Sequence, residues 1–236
     1  MTNDLAAIAG TIGRSFPLLG SLALLAGGEG RTYRAGDYVY RKEHRRAEAA
    51  YVADVYMRLP SSGFRIPRPI RSNHGTWLSS DGWSAWSFLP GRPVAPDDVP
   101  IVLPALHAFH QALANEPFPA LLATKDTPYT RAERNAWEIV PEDLDVDIAQ
   151  LVMPLLARRH PLPALKYQLI HVDLNDENVL VAPKMSPAIL DFTPAWRPAA
   201  YAIAIFAFWI GLYREKRASL EQFAMVPAFE QLLIRG

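Results

Sequence analysis

The stretch His171-Val-Asp-Leu-Asn-Asp-Glu-Asn-Val-Leu, followed by Ala188-Ile-Leu-Asp-Phe, constrains this chain more than any other. It supplies a carboxylate at Asp173, an amide at Asn178 and a second carboxylate at Asp191. Val179-Leu-Val and Ile189-Leu are short apolar runs of β type, and the Ala-Pro-Lys-Met-Ser-Pro between them is turn chemistry. A hairpin is therefore predicted, with Asn178 and Asp191 ending neighbouring strands. Two hard oxygen donors facing each other suit Mg²⁺, which takes few protein ligands and completes its shell with water and phosphate. Asp173 falls on the preceding loop, where it can meet a substrate hydroxyl. A His-x-Asp pair alone reads equally well as a structural histidine beside a turn-capping aspartate. The addition of Asn178 and Asp191 favours the catalytic reading.

Composition narrows the partners. Lys and Arg number 24 against 24 Asp and Glu, so there is no basic excess to recommend nucleic acid as the main partner. The chain has no cysteine, which excludes disulfide frameworks and thiol chemistry and fits a cytoplasmic location. Phe16 to Ala26 is interrupted by Pro17 and Gly20, with no small-x-small cleavage site after it. Pro198 to Tyr213 carries no charge but is shorter than the roughly 20 residues that a spanning helix needs. It is predicted to be a helix buried in the C-terminal half, with no membrane partner.

His-x-Asp-x-x-x-x-Asn together with Leu190-Asp-Phe resembles the catalytic loop and metal-binding Asp of the protein-kinase-like superfamily, most of all its aminoglycoside phosphotransferase branch. The resemblance extends over about residues 26 to 213, with its strong motif at 171–192. It implies an α+β, bilobal protein-kinase-like fold, with a small β-rich N-lobe (1–88) and a mostly helical C-lobe (89–236) shortened at its C-terminal end. It further implies ATP or GTP with Mg²⁺, and transfer of the γ-phosphoryl group to a hydroxyl of a small molecule. In that scheme Asp173 is the catalytic carboxylate, and Asn178 and Asp191 hold the metal.

Other segments take their places around this motif. Gly27, Gly28 and Gly30 allow backbone N–H groups to approach an anion, and the flanking runs suggest a hairpin. Alone such a cluster is an ordinary turn; here it occupies the place of the superfamily's nucleotide lid. Tyr38-Val-Tyr-Arg resembles the strand bearing the phosphate-contacting base, with Arg41 where Lys is usual and Lys42 on the opposite face. Arg46 to Leu59 has helical periodicity through Val52, Val55, Tyr56 and Leu59. Glu48 in its first turns is the expected partner of Arg41, or else a solvated glutamate at a helix start. Trp83 to Leu89 is a strand, preceded by turn residues at Asn73-His-Gly, and Pro67 and Pro69 place their segment at a sheet edge. Leu89-Pro-Gly-Arg-Pro resembles the inter-lobe hinge, so the backbone around Phe88 is expected to meet the nucleotide base.

The C-terminal half adds a helix after Asp97, with the stripe Leu103, Leu106, His110 and Leu113. Pro141-Glu-Asp-Leu-Asp-Val-Asp is a solvated helix start or an attractor for a cationic substrate. Apolar helices follow at Ile148 to Ala157 and Ser219 to Arg235. Thr193 stands where the family keeps glycine and Tyr201 where it keeps a loop-bracing Asp. With Arg41, these departures support an alternative, a catalytically quiet kinase-like module that binds nucleotide or a partner protein. A protein kinase is disfavoured because no Ala-Pro-Glu segment follows Asp191. The acceptor and the oligomeric state are not legible.

Overall fold

Helix α1 (Thr2–Gly13) leads into an antiparallel sheet whose strands lie in the spatial order Ala23–Leu24, Thr32–Ala35, Tyr38–Lys42, Trp83–Ser87, Pro69–Ile70. The structure, a computed structural model, describes residues 2–26, 30–131, 145–157 and 165–213. Ala23–Leu24 (β1) and Thr32–Ala35 (β2) form the hairpin expected around the glycine cluster, with Leu24 opposite Tyr33. Tyr38–Lys42 (β3) pairs with both β2 and Trp83–Ser87 (β5), so Arg41 lies between Thr32 and Ser84. Pro69–Ile70 (β4) takes the edge, where a proline without an N–H leaves no rung of the ladder unmade. Alternation along β3 and β5 turns Tyr40, Trp83 and Ala85 inward onto Ile12 and Phe16, closing a small core of their own.

Helix α2 (Arg46–Arg58) has the predicted bounds to within a residue and ends where Pro60 follows Leu59. Its apolar stripe, Val52, Val55, Tyr56 and Leu59, does not join the small core. It packs into a second, larger one with Phe64, Phe109, Leu169, Val179 and Phe192. The helix thus belongs by sequence to the sheet and by burial to what lies beyond it.

That larger core is organised by α3 (Val99–Leu113), entered through a single turn at Pro96–Asp98. Strand β6 (Arg92–Pro93) runs from the linker onto β8 (Val179–Ala182), which pairs with β9 (Met185–Ile189). Gly91 is needed at this crossing, because a Cβ there would sit 2.8 Å from Leu180 Cβ. The β8–β9 hairpin is tighter than its sequence suggests. Met185 already belongs to β9, and Lys184, in a left-handed conformation, completes the turn. Strand β7 (Gln168–His171) pairs with β10 (Pro194–Arg197). Helices α4 (Ala120–Ala123) and α5 (Val146–Leu156) flank these strands in the chain order. Helix α6 (Ala199–Ala207), the last among the described residues, continues as a wider π-type turn over Phe208–Tyr213.

The predicted α+β, two-lobed arrangement is present. Among the described residues no helix is long and apolar enough to cross a membrane. The expected helix over Ser219 to Arg235, and the acidic residues Pro141 to Leu144, lie outside the described residues.

Candidate active site

His171 joins the two loops of the site. Its Nε2–H donates to the carbonyl of Leu190 at 2.9 Å. Its Nδ1 accepts the backbone N–H of Asp173 at 3.1 Å and that of Thr193 at 3.4 Å. Only a neutral ring can accept at Nδ1 while donating at Nε2. Full burial, opposed by the Leu190 carbonyl and then by Asp173 and Asp191, pushes its pKa down and keeps that form. Beneath it His110 donates from Nδ1 to Leu106 O at 2.8 Å and accepts the His171 N–H at Nε2, 3.4 Å away. Burial draws the His110 pKa down to about 4. Both nitrogens of His110 are engaged within the fold.

The loop between β7 and β8 is a set of side-chain-to-backbone turns. Asn175 Oδ1 accepts the N–H groups of Glu177 and Asn178 at 2.9 and 3.0 Å. Its Nδ2 donates to Asp173 Oδ1 at 3.1 Å. Asn178 Nδ2 donates to the Asp173 carbonyl at 2.8 Å and lies 3.3 Å from Asp173 Oδ2. Asn175 was not among the residues expected at the site, although an Asn two places after a loop Asp is a turn signal in itself. With its nitrogen turned to Asp173, the Asn178 amide presents its oxygen on the other side.

The hairpin then sets the second carboxylate beside the first loop. Val179 faces Ile189, and the Leu190 N–H donates to the Asn178 carbonyl at 2.8 Å, so Asp191 follows directly. Asp191 has φ +50, a left-handed conformation that aspartate tolerates better than most residues. Phe192 behind it stacks on Tyr56 at 5.5 Å and meets Phe109 and His171 edge-on. This aromatic cluster ties α2, α3 and the Asp191 loop into one packing unit.

The charges around Arg41 depart from expectation. Arg41 pairs with the Asp191 carboxylate and lies 3.9 Å from Glu43, which stands just beyond β3 on the same side. Burial opposes the guanidinium charge, but Asp191, Glu43 and Asp173 together outweigh it and raise its pKa. The expected Arg41–Glu48 pair is not formed. Glu48 pairs instead with Lys125 at 2.8 Å, and with Arg45 at 3.8 Å. The reason is reach: Arg41 projects from β3 towards Asp191, and a lysine beyond α4 arrives at Glu48 first. Glu43 is largely enclosed, receives the Ser84 hydroxyl at 2.6 Å, and has its pKa raised, chiefly by burial. Neither Glu43 nor Lys125 was expected at the site. Alternation along β3 was a signal for Glu43; none marked Lys125.

The remaining expected residues are spread more widely. Gly30 is exposed in the β1–β2 turn with φ +70, whereas Gly27 and Gly28 lie outside the described residues. The Phe88 N–H donates to the Asp37 carbonyl at 2.8 Å, and its ring is covered by the Arg34 guanidinium, 3.4 Å from the centroid. That amide is therefore held by the β2–β3 turn.

Asp173 with Asn178 held on it, Asp191 just past the hairpin that Asn178 opens, and Arg41 from β3 paired to Asp191 form one constellation. The sequence profile of the phosphotransferase enzyme family APH matches residues 22–222. The chain belongs to that family. Solved structures share the fold of this chain. Amicoumacin kinase hAmiN, in complex with AMP-PNP, Ca²⁺ and Ami, superposes with a TM-score of 0.65 at 16% identity, covering 97% of this chain and 78% of that one. APH(2")-IIia with GDP and kanamycin gives 0.61 at 17% identity, over 95% and 82% of the two chains. The choline kinase LicA from Streptococcus pneumoniae also gives 0.61, at 13% identity, over 94% and 80%. No curated protein matches the chain. The α+β, bilobal protein-kinase-like architecture of this chain is that of these structures.

Proposed function

We propose that this chain transfers the γ-phosphoryl group of ATP or GTP to a hydroxyl of a small molecule. The carrying observation is the convergence of Asp173, Asn178 and Asp191 within one hairpin and its preceding loop, with Arg41 drawn onto Asp191. Nucleotide binds between a lobe of residues 1–88 and one of residues 89–236. Asp173, held by Asn175 and Asn178, orients the acceptor hydroxyl and accepts its proton. Gly30, with Gly27 and Gly28, contributes the lid over the phosphates, and Arg41 contributes charge to them.

The donor set suits Mg²⁺: an amide oxygen turned away from Asp173 and a carboxylate that is 38% exposed, both hard oxygens. Asn178 and Asp191 would hold the ion, which when bound neutralises charge on the phosphate oxygens. Since the chemistry is mainly positioning and charge stabilisation, the neutral His171 that fixes both loops matters as much as the carboxylates.

A quiet, nucleotide-binding module is the second reading, and one observation favours it: the carboxylate needed for the metal is already engaged by Arg41. Thermal unfolding with Mg·ATP and Mg·GTP is the first experiment. Ligand at about 100 times its dissociation constant adds roughly 2.7 kcal/mol, or about 5–10 °C for a chain this size. No shift with either nucleotide removes both readings. ADP or GDP release in the presence of aminoglycosides, amino alcohols such as choline, sugars and nucleosides then separates enzyme from quiet module. The structural likeness to the amicoumacin, aminoglycoside and choline phosphotransferases supports beginning with the first two classes.

A further inference from the structure

The Lys125–Glu48 pair joins segments that share no strand or helix. Lys125 Nζ lies 2.8 Å from Glu48 Oε2, and the two side chains are only 12% and 17% exposed. The same ammonium lies 3.5 Å from the carbonyl of Pro194, the first residue of β10 and three places beyond Asp191. Glu48's other partner, Arg45, is more than half exposed and 3.8 Å away, so Lys125 is the partner that matters for the enclosed carboxylate. Lys125 does not arrive by chance. Its carbonyl accepts the Thr130 hydroxyl at 3.2 Å, and Thr127 and Thr130 lock the turn that follows. The preceding α4 packs on β10, and Phe118 meets Trp196 edge-on at 5.4 Å. The base of the lysine is thus fixed on β10 while its tip reaches α2.

We infer that Lys125 is a positioning residue of the phosphotransfer site: through Glu48 and the Pro194 carbonyl it holds α2 and the segment 191–194 in their nucleotide-binding arrangement. The inference rests on the function proposed above. Strand β3 cannot supply this tie, because Arg41 is held by Asp191 and Glu43. A further connection between the same two segments is apolar, the stacking of Tyr56 on Phe192. Stacking of this kind restrains separation of the rings and leaves sliding free, whereas a near-buried ion pair with a second carbonyl contact fixes direction as well. Removing the ammonium leaves Glu48 enclosed beside Glu43, whose own protonation is favoured by the nearby Glu48 charge. The first turn of α2 is then pushed outward, and the Asp191 segment loses its brace.

The test uses the full chain and Lys125→Met, Lys125→Arg, Glu48→Gln and the Lys125→Met/Glu48→Gln double variant. Calorimetric titration with Mg·ATP or Mg·GTP, whichever gives the larger thermal shift, is combined with amide hydrogen exchange on the free proteins. Lys125→Met is expected to weaken nucleotide binding about tenfold, equivalent to about 1.4 kcal/mol. Lys125→Arg should recover most of that loss, and the double variant should bind no worse than the weaker single one. Exchange should quicken together over 46–58 and 190–197. A folded Lys125→Met that binds like wild type, or exchange that quickens only over 119–131, overturns the inference. If Lys125→Met does not fold, Glu48→Gln decides by the same two readings. Wild-type protein that binds neither nucleotide refutes the proposed function and this inference with it, a result distinct from failure of Lys125 alone.

Discussion

His110 Nε2 accepts the backbone N–H of His171 at 3.4 Å, so one buried histidine holds the strand that delivers the other to the site. Both must be neutral for this arrangement, and burial lowers the pKa of each, that of His110 from 6.5 to about 4. Between those values the unfolded chain binds a proton at position 110 that the folded chain refuses. Stability is therefore complete above about pH 6.5 and falls as the pH drops towards 4, by at most about 1.4 kcal/mol per pH unit for each such histidine. Urea unfolding from pH 7.5 to 4.5 measures it, and His110→Leu should flatten the slope. A free energy independent of pH over this range would contradict the buried, neutral assignment.

The Arg41–Asp191 pair makes a prediction about metal alone. Each partner is a little over a third exposed, so the pair is worth at most about 1 kcal/mol. Arg41→Met should bind free Mn²⁺ up to about fivefold more tightly than wild type, since the Asp191 carboxylate is released. It should at the same time bind Mn·ATP less tightly, having lost its charge on the phosphates. Paramagnetic resonance of Mn²⁺ reads both. Equal Mn²⁺ affinity in the two proteins means that the pair does not guard the carboxylate.

Asp173 and Asp191 should separate by role. Asp173→Asn is expected to keep nucleotide affinity and lower the chemical rate by roughly 10²–10⁴, the range of a positioned general base. Asp191→Asn should weaken binding of metal-nucleotide itself, because an amide is a poorer ligand for a hard cation. Titration of Mg·ATP into both variants, followed by single-turnover rates, distinguishes them. The reverse pattern would mean that the roles are exchanged.

At the crossing of β6 and β8, Gly91→Ala would bring a methyl to 2.8 Å from Leu180 Cβ and 3.1 Å from the Val181 carbonyl. Both neighbours belong to the strand that follows Asn178, and neither can withdraw without moving the hairpin. A loss of about 1–3 kcal/mol is expected, as for overpacking elsewhere. Urea unfolding of the variant gives the value; a change below about 0.5 kcal/mol would show that the crossing is loose.

The site's backbone frame was legible in the chain because it is local. Asn178, two short apolar runs and Asp191 form a hairpin whose register follows from alternation and turn chemistry, and the structure pairs Val179 with Ile189 accordingly. The periodicity of α2 and the proline at the sheet edge were legible for the same reason. The choice of charge partners was not. Arg41 and Asp191 are 150 positions apart, and Glu48 meets a lysine from beyond α4 whose surroundings carry no pattern that marks it. An ion pair depends on distance and enclosure, which exist only once α2 has packed into the core shared with α3 and β7–β9. Likewise nothing along the chain marks that the β2–β3 turn folds its Asp37 carbonyl onto the Phe88 amide. Hydrogen-bond periodicity is written residue by residue, so the sequence by itself determined the hairpin, the helix α2 and the places of Asp173 and Asp191 along the loops. Electrostatic partnership is a property of assembled surfaces, and only the tertiary structure decided which cation faces which acid.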